Sequence, residues 1–566
     1  MSDYNATYDE VKQVSLRPLS KGMVLNEPSN TLEVGAFLDL KNVQATLEGL
    51  RKRLPYQRVA PAPYYNGTGN DPGLLVGVTQ YLNSSGDTYL VLVCTTAIYT
   101  FQRRYGYSHQ SVFETPTAGV QFTGWCQIGD ELILNNSNGE MVVFDGTFDT
   151  TDPLAPLLKD FWPTGIYDGK DPDDYVEPTN IVSIVNGFQR LWVLGTTEGT
   201  DGICRTRLRW TDVLQYHLFP VENYYDIEGT QQDAVRILSL SSLLIAYFRD
   251  SVFVGRPSNI EGLPFTFTQL ETGGIGLIGT QAVCSWLEGH FWIGQDDFYF
   301  LSVSSGLQRI GSPIARRVLE GTLFRRRAAA HPDPQNNQIC FIIPRDSERA
   351  NEIWSFDYKS QAWSYGTFVT EGIGSSLFFE SLTYDMLDNE EDEGGLPRPV
   401  GLGYPTYESW FNSGVYPTYS SMMSDPSETL LVLGNDYVAF AAGDDGYGLD
   451  DGVSPIPVVI QSGYMDFDYP DLDKTITRLN VRMREAVTVA TPFTLEVTVD
   501  GGITWKMVRG GLTIRAGQAE GWATFRATGS TFGFRLTQAG TQDRWILEEI
   551  GLMVVVRGIE TERRHR

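Results

Sequence analysis

The sequence predicts an all-β protein, with a six- or seven-bladed β-propeller and an appended C-terminal β-sandwich. The first observation is a repeated unit, in which an apolar strand, a short turn and a strand with alternating aromatic residues follow one another. The early copies are roughly 40 to 60 residues apart, which is the period of propeller blades. The second observation is that this unit gives way, from residue 460, to a series of alternating strands typical of a sandwich.

The predicted propeller covers residues 56–459. Helical periodicity is scarce along it, and the best helix candidate is 312–329. Residues 1–55 are predicted to form an N-terminal segment that docks on the propeller. Copies of the repeated unit lie at 88–101, 130–146, 188–195, 241–255, 289–302, 337–357 and 428–443.

Two insertions interrupt the predicted propeller, near 161–178 and 383–428. Both are acidic, and the second contains the run DNEEDEGG followed by a stretch rich in Pro, Tyr and Ser. A long excursion of this kind is either a functional loop or a solvated one. We therefore hypothesise that these insertions form a gate or a lateral docking surface, and a solvated loop remains the alternative.

The predicted sandwich covers residues 460–558 and is followed by a charged tail at 559–566. Within it, TVDGGITW has the spacing of an Asp-box, the hairpin turn repeated in sialidase propellers. Asp-Gly-Gly reaches positive φ cheaply, and the Asp500 carboxylate is placed to accept backbone N–H groups across the turn. We expect Trp505 to pack beneath the hairpin. Since none of these groups attacks a substrate, the motif predicts a turn rather than a glycosidase.

The composition limits the classes of partner. The chain has 43 Lys and Arg residues against 70 Asp and Glu residues, a formal net charge of −27. Sequence-independent DNA binding requires clustered Lys and Arg, so this balance opposes it. An acidic surface suits either simple solubility or a passage along which a polyanion slides without adhering. Small basic clusters, which are either solvated or face acidic partners, lie at 51–53, 316–317, 325–327 and 563–566.

The cysteines and the hydropathy pattern predict neither a zinc site nor a membrane span. No CxxC pair is present, and no stretch approaches ~18 uninterrupted apolar residues. The N-terminal residues lack an apolar signal region, from which we expect synthesis in the cytoplasm. The five cysteines are scattered singly, at Cys94, Cys126, Cys204, Cys284 and Cys340.

The remaining candidate groups for chemistry do not form a convincing site. Asp296 and Asp297 are adjacent, so in a strand they would point to opposite faces and fail as a glycosidase pair. The glycine-rich stretch 273–279 lacks the Lys-Ser/Thr of a phosphate-binding loop. No G-x-S-x-G elbow is present, although a Ser-His-Asp arrangement of distant residues stays open. We therefore predict that the protein is not an enzyme, with no catalytic, cofactor-binding or metal-binding residues.

The acidic and imidazole side chains do not form a convincing metal site. The four clustered aspartates have oxygen ligands suited to calcium but lack the Glu that closes an EF-hand loop, so turn chemistry is the favoured interpretation. The histidines form no ligand pair. The four aspartates are Asp444, Asp445, Asp450 and Asp451, and the histidines are His109, His217, His290, His331 and His565.

Residues 16–53 run from a Pro-Leu-x-x-Gly start through Asn-Val to a basic turn, and residues 207–220 read as a strand that ends in a Thr-Asp turn and a Phe. In this order along the chain, these and the following stretches resemble the tail hub protein of short-tailed bacteriophages, also called the packaged-DNA stabilisation protein. The long block 247–321 is the closest match, with Gly-Ser-Pro-Ile at 311–314 in place of the family's helix start. Residues 353–368 are similar to a blade end with Tyr-Asp and Trp. The insertion 383–428 has no counterpart.

The resemblance implies a structural virion protein. Family members form a ring of six copies below the portal and its adaptor ring, continue the DNA channel, and retain and release the genome. They present sites for a tail needle, nozzle, fibres or spikes, while DNA passes without sequence-specific binding. The expected location is therefore the virion tail, after assembly in the host cytoplasm. The sequence does not separate a hub from a nozzle.

Two other classes stay open at this point. A carbohydrate-binding or sialidase-like propeller would need converging Arg, Tyr and Glu side chains. A scaffold propeller of the host cell predicts a regular motif such as Trp-Asp at the blade period, which the sequence lacks.

Overall fold

The computed structural model is almost entirely β-sheet. Among the residues it describes, no helix is long and apolar enough to cross a membrane. The described residues are 7–29, 31–53, 56–61, 75–85, 88–94, 97–102, 106–112, 122–148, 156–162, 166–167, 169–199, 201–260, 262–270, 274–322, 325–333, 336–345, 352–367, 373–379, 390–391, 397–398, 429–434, 437–441, 449–450, 454–540 and 545–560.

In the described part of the chain, six strands precede the first blade. Five of them belong to the N-terminal segment, and the sixth closes the propeller. They are β1 (Thr7–Leu16), β2 (Gly22–Met23), β3 (Ala36–Lys41), β4 (Val43–Thr46), β5 (Gly49–Lys52) and β6 (Tyr56–Pro61).

The first three blades are four-stranded antiparallel sheets, and a short ribbon, β15 with β19, accompanies the third. Blade one contains β7 (Leu75–Leu82), β8 (Thr88–Cys94), β9 (Ala97–Gln102) and β10 (Gly106–Val112). Blade two contains β11 (Phe122–Ile128), β12 (Glu131–Asn136), β13 (Val142–Phe148) and β14 (Pro156–Asp160). The strands that follow are β15 (Tyr175–Val176), then β16 (Ser183–Gly187), β17 (Arg190–Glu198) and β18 (Gly202–Trp210) of blade three, β19 (Phe219–Pro220), and β20 (Tyr224–Asp226) of blade three.

The next three blades have the same order of pairing. Blade four contains β21 (Ala234–Leu240), β22 (Leu243–Phe248), β23 (Val252–Ile260) and β24 (Leu263–Gln269). Blade five contains β25 (Val283–Trp286), β26 (Gly289–Ile293), β27 (Phe298–Ser302) and β28 (Gly306–Arg309). The predicted helical stretch contains α1 (Ala315–Glu320) and a 3-10 turn (Arg325–Arg327), and another 3-10 turn (Pro172–Asp174) lies in the first insertion. Blade six contains β29 (Ala329–Asp333), β30 (Gln338–Ile343), β31 (Glu352–Asp357) and β32 (Ala362–Thr367).

The seventh blade is built from both ends of the propeller. Its first three strands are consecutive, but its fourth is β6, which pairs antiparallel from Tyr437↔Pro61 to Ala441↔Tyr56. Most of the insertion 383–428 lies outside the described residues, between the first two strands of this blade. The strands of this region are β33 (Ile373–Phe379), β34 (Glu390–Glu391), β35 (Pro397–Arg398), β36 (Thr429–Gly434), β37 (Tyr437–Ala441), β38 (Leu449–Asp450) and β39 (Ser454–Pro455).

The blades close into a ring, so the propeller predicted from the sequence is present. First strands of neighbouring blades contact one another, from β7 through β11, β16 and β21 on one side and from β25 through β29 and β33 back to β7 on the other. Blades four and five are joined by polar contacts. In one of them, Nε2 of the buried His290 lies 3.2 Å from the Ser239 carbonyl oxygen. The sequence left six or seven blades open, and the described residues form seven.

The second strand of each blade supplies most of the core. The described side chains of β12, β22, β26 and β30 are nearly all buried on both faces, whereas the outer strands β20 and β28 are largely exposed. A strand covered on both faces reads as a continuous apolar run. Large aromatic rings such as Trp192 and Trp292 fill the space between sheets.

The C-terminal strands form two facing sheets. One sheet has the order β4-β5-β47-β41-β45, with β1 also paired to β47, and the other runs from β3 through β40, β46 and β42 to β43. Leu479, Leu495, Leu536 and Leu552 are fully buried in the core between them. The strands are β40 (Val458–Ser462), β41 (Lys474–Met483), β42 (Thr491–Thr498), β43 (Lys506–Met507), β44 (Leu512–Ile514), β45 (Glu520–Gly529), β46 (Gly533–Gln538) and β47 (Ile546–Glu560).

The N-terminal segment contacts both the propeller and the sandwich. The sequence predicts that it docks on the propeller, but β1 also pairs along β47 and β3 with β40, so most of its strand pairing is with the sandwich. The physical reason is that β47 is long and would otherwise leave an unpaired edge. The segment reaches the propeller through the pair Lys41↔Tyr365 on β32 and through β4 and β5. Residues 561–566 of the predicted tail lie outside the described residues.

Asp39 lies at the junction between sandwich and propeller. Burial raises the pKa of this carboxyl to about 6, against a hydrogen bond from Tyr365 that lowers it. One carboxyl oxygen is buried without a hydrogen-bond partner among the described residues. The folded state therefore retains a proton that the unfolded state has released between about pH 4 and pH 6. Its stability decreases as the pH rises through this window.

We predict that Asp39→Asn stabilises the protein at pH 7.5 and has little effect at pH 4. The substitution removes a buried charge, which at an upward shift of about two pKa units contributes up to about 3 kcal/mol. Thermal unfolding at both pH values measures the effect. Asp471→Asn, at an exposed position of the sandwich, is the control. An equal change in the midpoint at both pH values would contradict the assignment.

Candidate functional site

The two ends of the blade strands define two faces of the propeller. Since the strands are antiparallel, the connections between first and second and between third and fourth strands lie at one end, which we call the turn face. Connections between second and third strands, and those between blades, lie at the opposite end. We call this end the pocket face, because a cavity of 480 Å³ opens there among loops of blades two to six.

Three arginines from different blades line this pocket. Arg205 lies near the start of the third strand of blade three, Arg249 lies in a loop of blade four, and Arg326 precedes blade six. Asp233 is the one carboxylate among the lining residues. Neutral polar side chains, including Asn138 and the threonines at 196, 197 and 280, complete the polar lining. At neutral pH the lining carries a net positive charge in a strongly acidic chain.

Asp233 lies between two of these arginines. Its carboxylate accepts a hydrogen bond from Arg205 Nη1 at 2.9 Å and lies 3.6 Å from Arg249 Nε. The latter distance is too long for a hydrogen bond, and Arg249 Nε is buried with no partner among the described residues. A single carboxylate therefore balances only part of the pocket's positive charge.

The backbone of Arg249 is held from two sides. Its N–H donates to the Asp233 carbonyl at 3.3 Å, and its carbonyl accepts from Gln295 Nε2 at 2.9 Å. Gly276 passes so close that a Cβ there would lie 2.3 Å from the Arg249 carbonyl. A Cβ at Gly279 would likewise lie 2.4 Å from the Arg326 carbonyl. The glycine-rich stretch that lacked a phosphate-loop signature therefore lets the chain pass beneath two pocket arginines.

A buried ionic cluster lies in the same blade as Arg205. Glu198 receives two hydrogen bonds from Arg209, at 2.6 and 2.7 Å, and one from Arg207 at 2.9 Å. Arg207 also bonds Asp201 and both oxygens of Asp226. Burial alone would raise the pKa of Glu198, but hydrogen bonds from Arg209, Arg207 and a threonine hold it below its usual value.

This cluster contains the one group of potential metal ligands found among the described residues: Glu198, Asp201 and Cys204. Two arginines already occupy the carboxylate oxygens, and their positive charges oppose a cation. Burial also raises the pKa of the Cys204 thiol, which disfavours the thiolate that a metal requires. We interpret the cluster as a support for blade three.

The two adjacent aspartates do not form a cooperating pair. They lie in the turn between β26 and β27, not within a strand as the sequence argument assumed. Asp296 accepts from the Tyr299 hydroxyl at 2.6 Å, whereas Asp297 accepts from the Phe298 N–H at 2.7 Å. Burial raises the pKa of Asp297. Of the four clustered aspartates, only Asp450 lies within the described residues, at the end of β38.

The described histidines have structural partners. His290 is buried between blades four and five, 2.9 Å from the Tyr247 hydroxyl, and burial lowers its pKa to about 4. Burial also lowers the pKa of His331, to about 3. His217 pairs with Glu131 at 2.9 Å, and this hydrogen bond raises its pKa. The side chains of His109 and His565 lie outside the described set.

The Asp-box adopts the geometry expected of a turn. Asp500 accepts from Thr498 Oγ1 at 2.7 Å and from the Thr504 N–H at 2.9 Å, and its hydrogen bonds with Thr504 lower its pKa to about 2. At Gly502, φ is +88° and a Cβ would collide with the Tyr464 hydroxyl. Trp505 is half-buried, with the Arg535 guanidinium 4.3 Å from its ring centre. All of these groups are engaged within the sandwich.

Sequence reasoning missed the pocket arginines. Their spacing along the chain carries no motif, because three different blades bring them together. A partial signal was the basic run at 325–327, which includes Arg326.

Comparisons with known proteins give only remote likenesses. No protein-family model and no curated protein matches the sequence. Among solved structures, the WD40 domain of Neurospora crassa Pan2 has a TM-score of 0.39 at 10% identity, covering 69% of this chain and 97% of that domain. YCF48 from Cyanidioschyzon merolae has a TM-score of 0.35 at 9% identity, covering 68% of this chain and 98% of that protein.

We predict that Glu198→Gln destabilises the propeller. The substitution leaves Arg207 and Arg209 without their shared buried charge partner, and breaking such a pair costs about 3–5 kcal/mol. Glu198 is 5% exposed and Arg209 3%. Thermal unfolding measures the loss, with Glu140→Gln at an exposed position of blade two as the control. A midpoint equal to that of the control would show that the cluster does not support the blade.

Proposed function

We propose that this chain is a non-enzymatic structural subunit of the tail of a short-tailed bacteriophage. It forms a ring of six copies below the portal and adaptor, as a hub or nozzle, and continues the DNA channel. The proposal combines the ordered resemblance along 16–370 with one structural observation, the apolar character of the turn face.

Exposed large apolar side chains of the described blades concentrate on this turn face. They lie in the turns of blades one, three, four and five, and among them Leu214 is 65% and Ile260 60% exposed. On the pocket face, the described residues include only Ile203 in this class. Isolated exposed apolar residues are ordinary, so the observation that supports an interaction surface is their one-sided distribution. The turn-face set is Leu82, Phe188, Val213, Leu214, Ile260, Leu287 and Val303.

The turn face is already a protein interface at blade six. There the hairpin of β4 and β5 covers the turns, with Gln44 bonding Gln338 at 3.0 Å and Ser360 bonding the Ala45 carbonyl at 3.3 Å. The exposed turns of the other blades continue this interface around the ring. We assign their partner as the adjacent ring of the tail axis, since a propeller is a compact wedge whose flat face suits axial stacking.

The charge of the chain fits passage of DNA through such a ring. A net charge of −27 disfavours sequence-independent adhesion to phosphates. The remaining partners in the proposal are a needle, nozzle, fibres or spikes below the ring, and its location is the virion tail.

Quantitative mass spectrometry of purified particles tests this role. The expected result is about six copies for every twelve portal subunits. Absence of the chain from intact particles would overturn the proposal.

A paired variant tests the turn face. Leu214→Asp with Ile260→Asp is expected to lower incorporation of the chain into particles several-fold, because buried carboxylates are costly in an apolar interface. Thermal stability should be unchanged, since both side chains are exposed. Ile203→Asp, 73% exposed on the opposite face, is the matched control and should be incorporated normally. Normal incorporation of the paired variant would exclude the turn face as the stacking surface.

A further inference from the structure

We propose that the pocket face holds a binding site for a small organic anion, recognised through phosphate or carboxylate oxygens by Arg205, Arg249 and Arg326. This site lies at the opposite end of the blades from the turn face.

The first observation is that the three arginines have more N–H donors than the pocket carboxylate accepts. Each guanidinium offers five N–H groups, yet Asp233 receives only one hydrogen bond from the three, from Arg205. Arg326 is exposed, and Arg249 Nε, 3.6 Å from the Asp233 carboxylate, makes no hydrogen bond among the described residues. A donor that lacks a hydrogen bond carries a desolvation cost that a closer anionic oxygen would offset.

The second observation is that the charge of the pocket lining is opposite in sign to the net charge of the chain. Asp and Glu outnumber Lys and Arg overall, whereas the pocket has three arginines and one carboxylate. Arginine forks match the planar oxygens of phosphates and carboxylates, which makes them the preferred groups for such ligands. Low-dielectric walls such as Val182, Ala234 and Ile278 strengthen this attraction.

The third observation is that the site is built in advance. The Arg249 backbone is bonded on both sides, and close glycine approaches fix the loops that carry Arg249 and Arg326. Residues held by packing and hydrogen bonds bind without a large ordering cost. A volume of 480 Å³ lies within the range of small-molecule sites, and the neutral side chains Asn138 and Thr196 add hydrogen-bonding groups for the rest of the ligand.

Isothermal titration calorimetry of the purified full chain tests the site with two probes. Inorganic pyrophosphate supplies phosphate oxygens and citrate supplies carboxylate oxygens. We expect saturable binding of at least one probe, weakened by added salt. The tighter probe identifies the source of the anionic group. Absence of binding by both probes at low ionic strength would overturn the proposal.

Substitutions locate the binding in the pocket. Arg249→Gln and Arg326→Gln should each weaken binding about tenfold or more, as expected for loss of a charged hydrogen-bond donor. Arg326 is exposed, so its variant stays informative if Arg249→Gln folds poorly. Arg509→Gln, at an exposed position of the sandwich, should bind as the unaltered chain does. Equal affinity of both pocket variants and this control would place the anion elsewhere and overturn the proposal.

Asp233→Asn gives a readout that a purely structural role of these arginines would not produce. It keeps the shape of the side chain but removes the carboxylate that competes with the ligand, so affinity should increase. An unchanged or lower affinity would contradict the electrostatic assignment. All of these measurements use the isolated chain and are separate from particle incorporation, so the tail role and the anion site can fail independently.

Discussion

Closure of the ring by β6 is the constraint on which the rest of the structure depends. The seventh blade takes three strands from 373–441 and its fourth from Tyr56–Pro61, so this pairing ties the start of the propeller chain to its end. Closure brings the two ends of the propeller chain to the same blade. The flanking segments then leave from neighbouring positions and combine in one sandwich, where β1 pairs with β47 and β3 with β40. The composite sandwich is therefore a consequence of how the ring closes.

The sequence predicted the buried half of each blade and missed the exposed half. All seven repeated units correspond to second strands, most with the third strand that follows, as at 130–146 and 289–302. A second strand is covered on both faces and therefore reads as an apolar run, whereas an outer strand such as β28 is largely exposed and mixed in composition. Pairings between distant segments, such as β6 with β37, leave no local pattern. This is why the pairing of the N-terminal segment with the sandwich was not predicted.

The same distinction explains which site residues were predictable. The Asp-box is local, so Asp500 and its hydrogen-bond partners follow from eight consecutive residues. The pocket is non-local, since Arg205, Arg249 and Arg326 meet only after three blades have taken their places in the ring. The glycine-rich stretch did carry information, but about close packing: Gly276 and Gly279 leave room for the backbones that present two of these arginines.

The turn face of the propeller is apolar and the pocket on the other face is positively charged. This separation affects how partners on the two faces would act together. A ligand that bridges the three pocket arginines would join blades three, four and six. Binding to the folded state alone stabilises it by linkage, so occupancy would favour the closed ring. A partner on the apolar turn face would also bind only the closed ring, because its contacts would come from the turns of several blades. The two surfaces would therefore reinforce each other through ring closure, without any contact between the ligands.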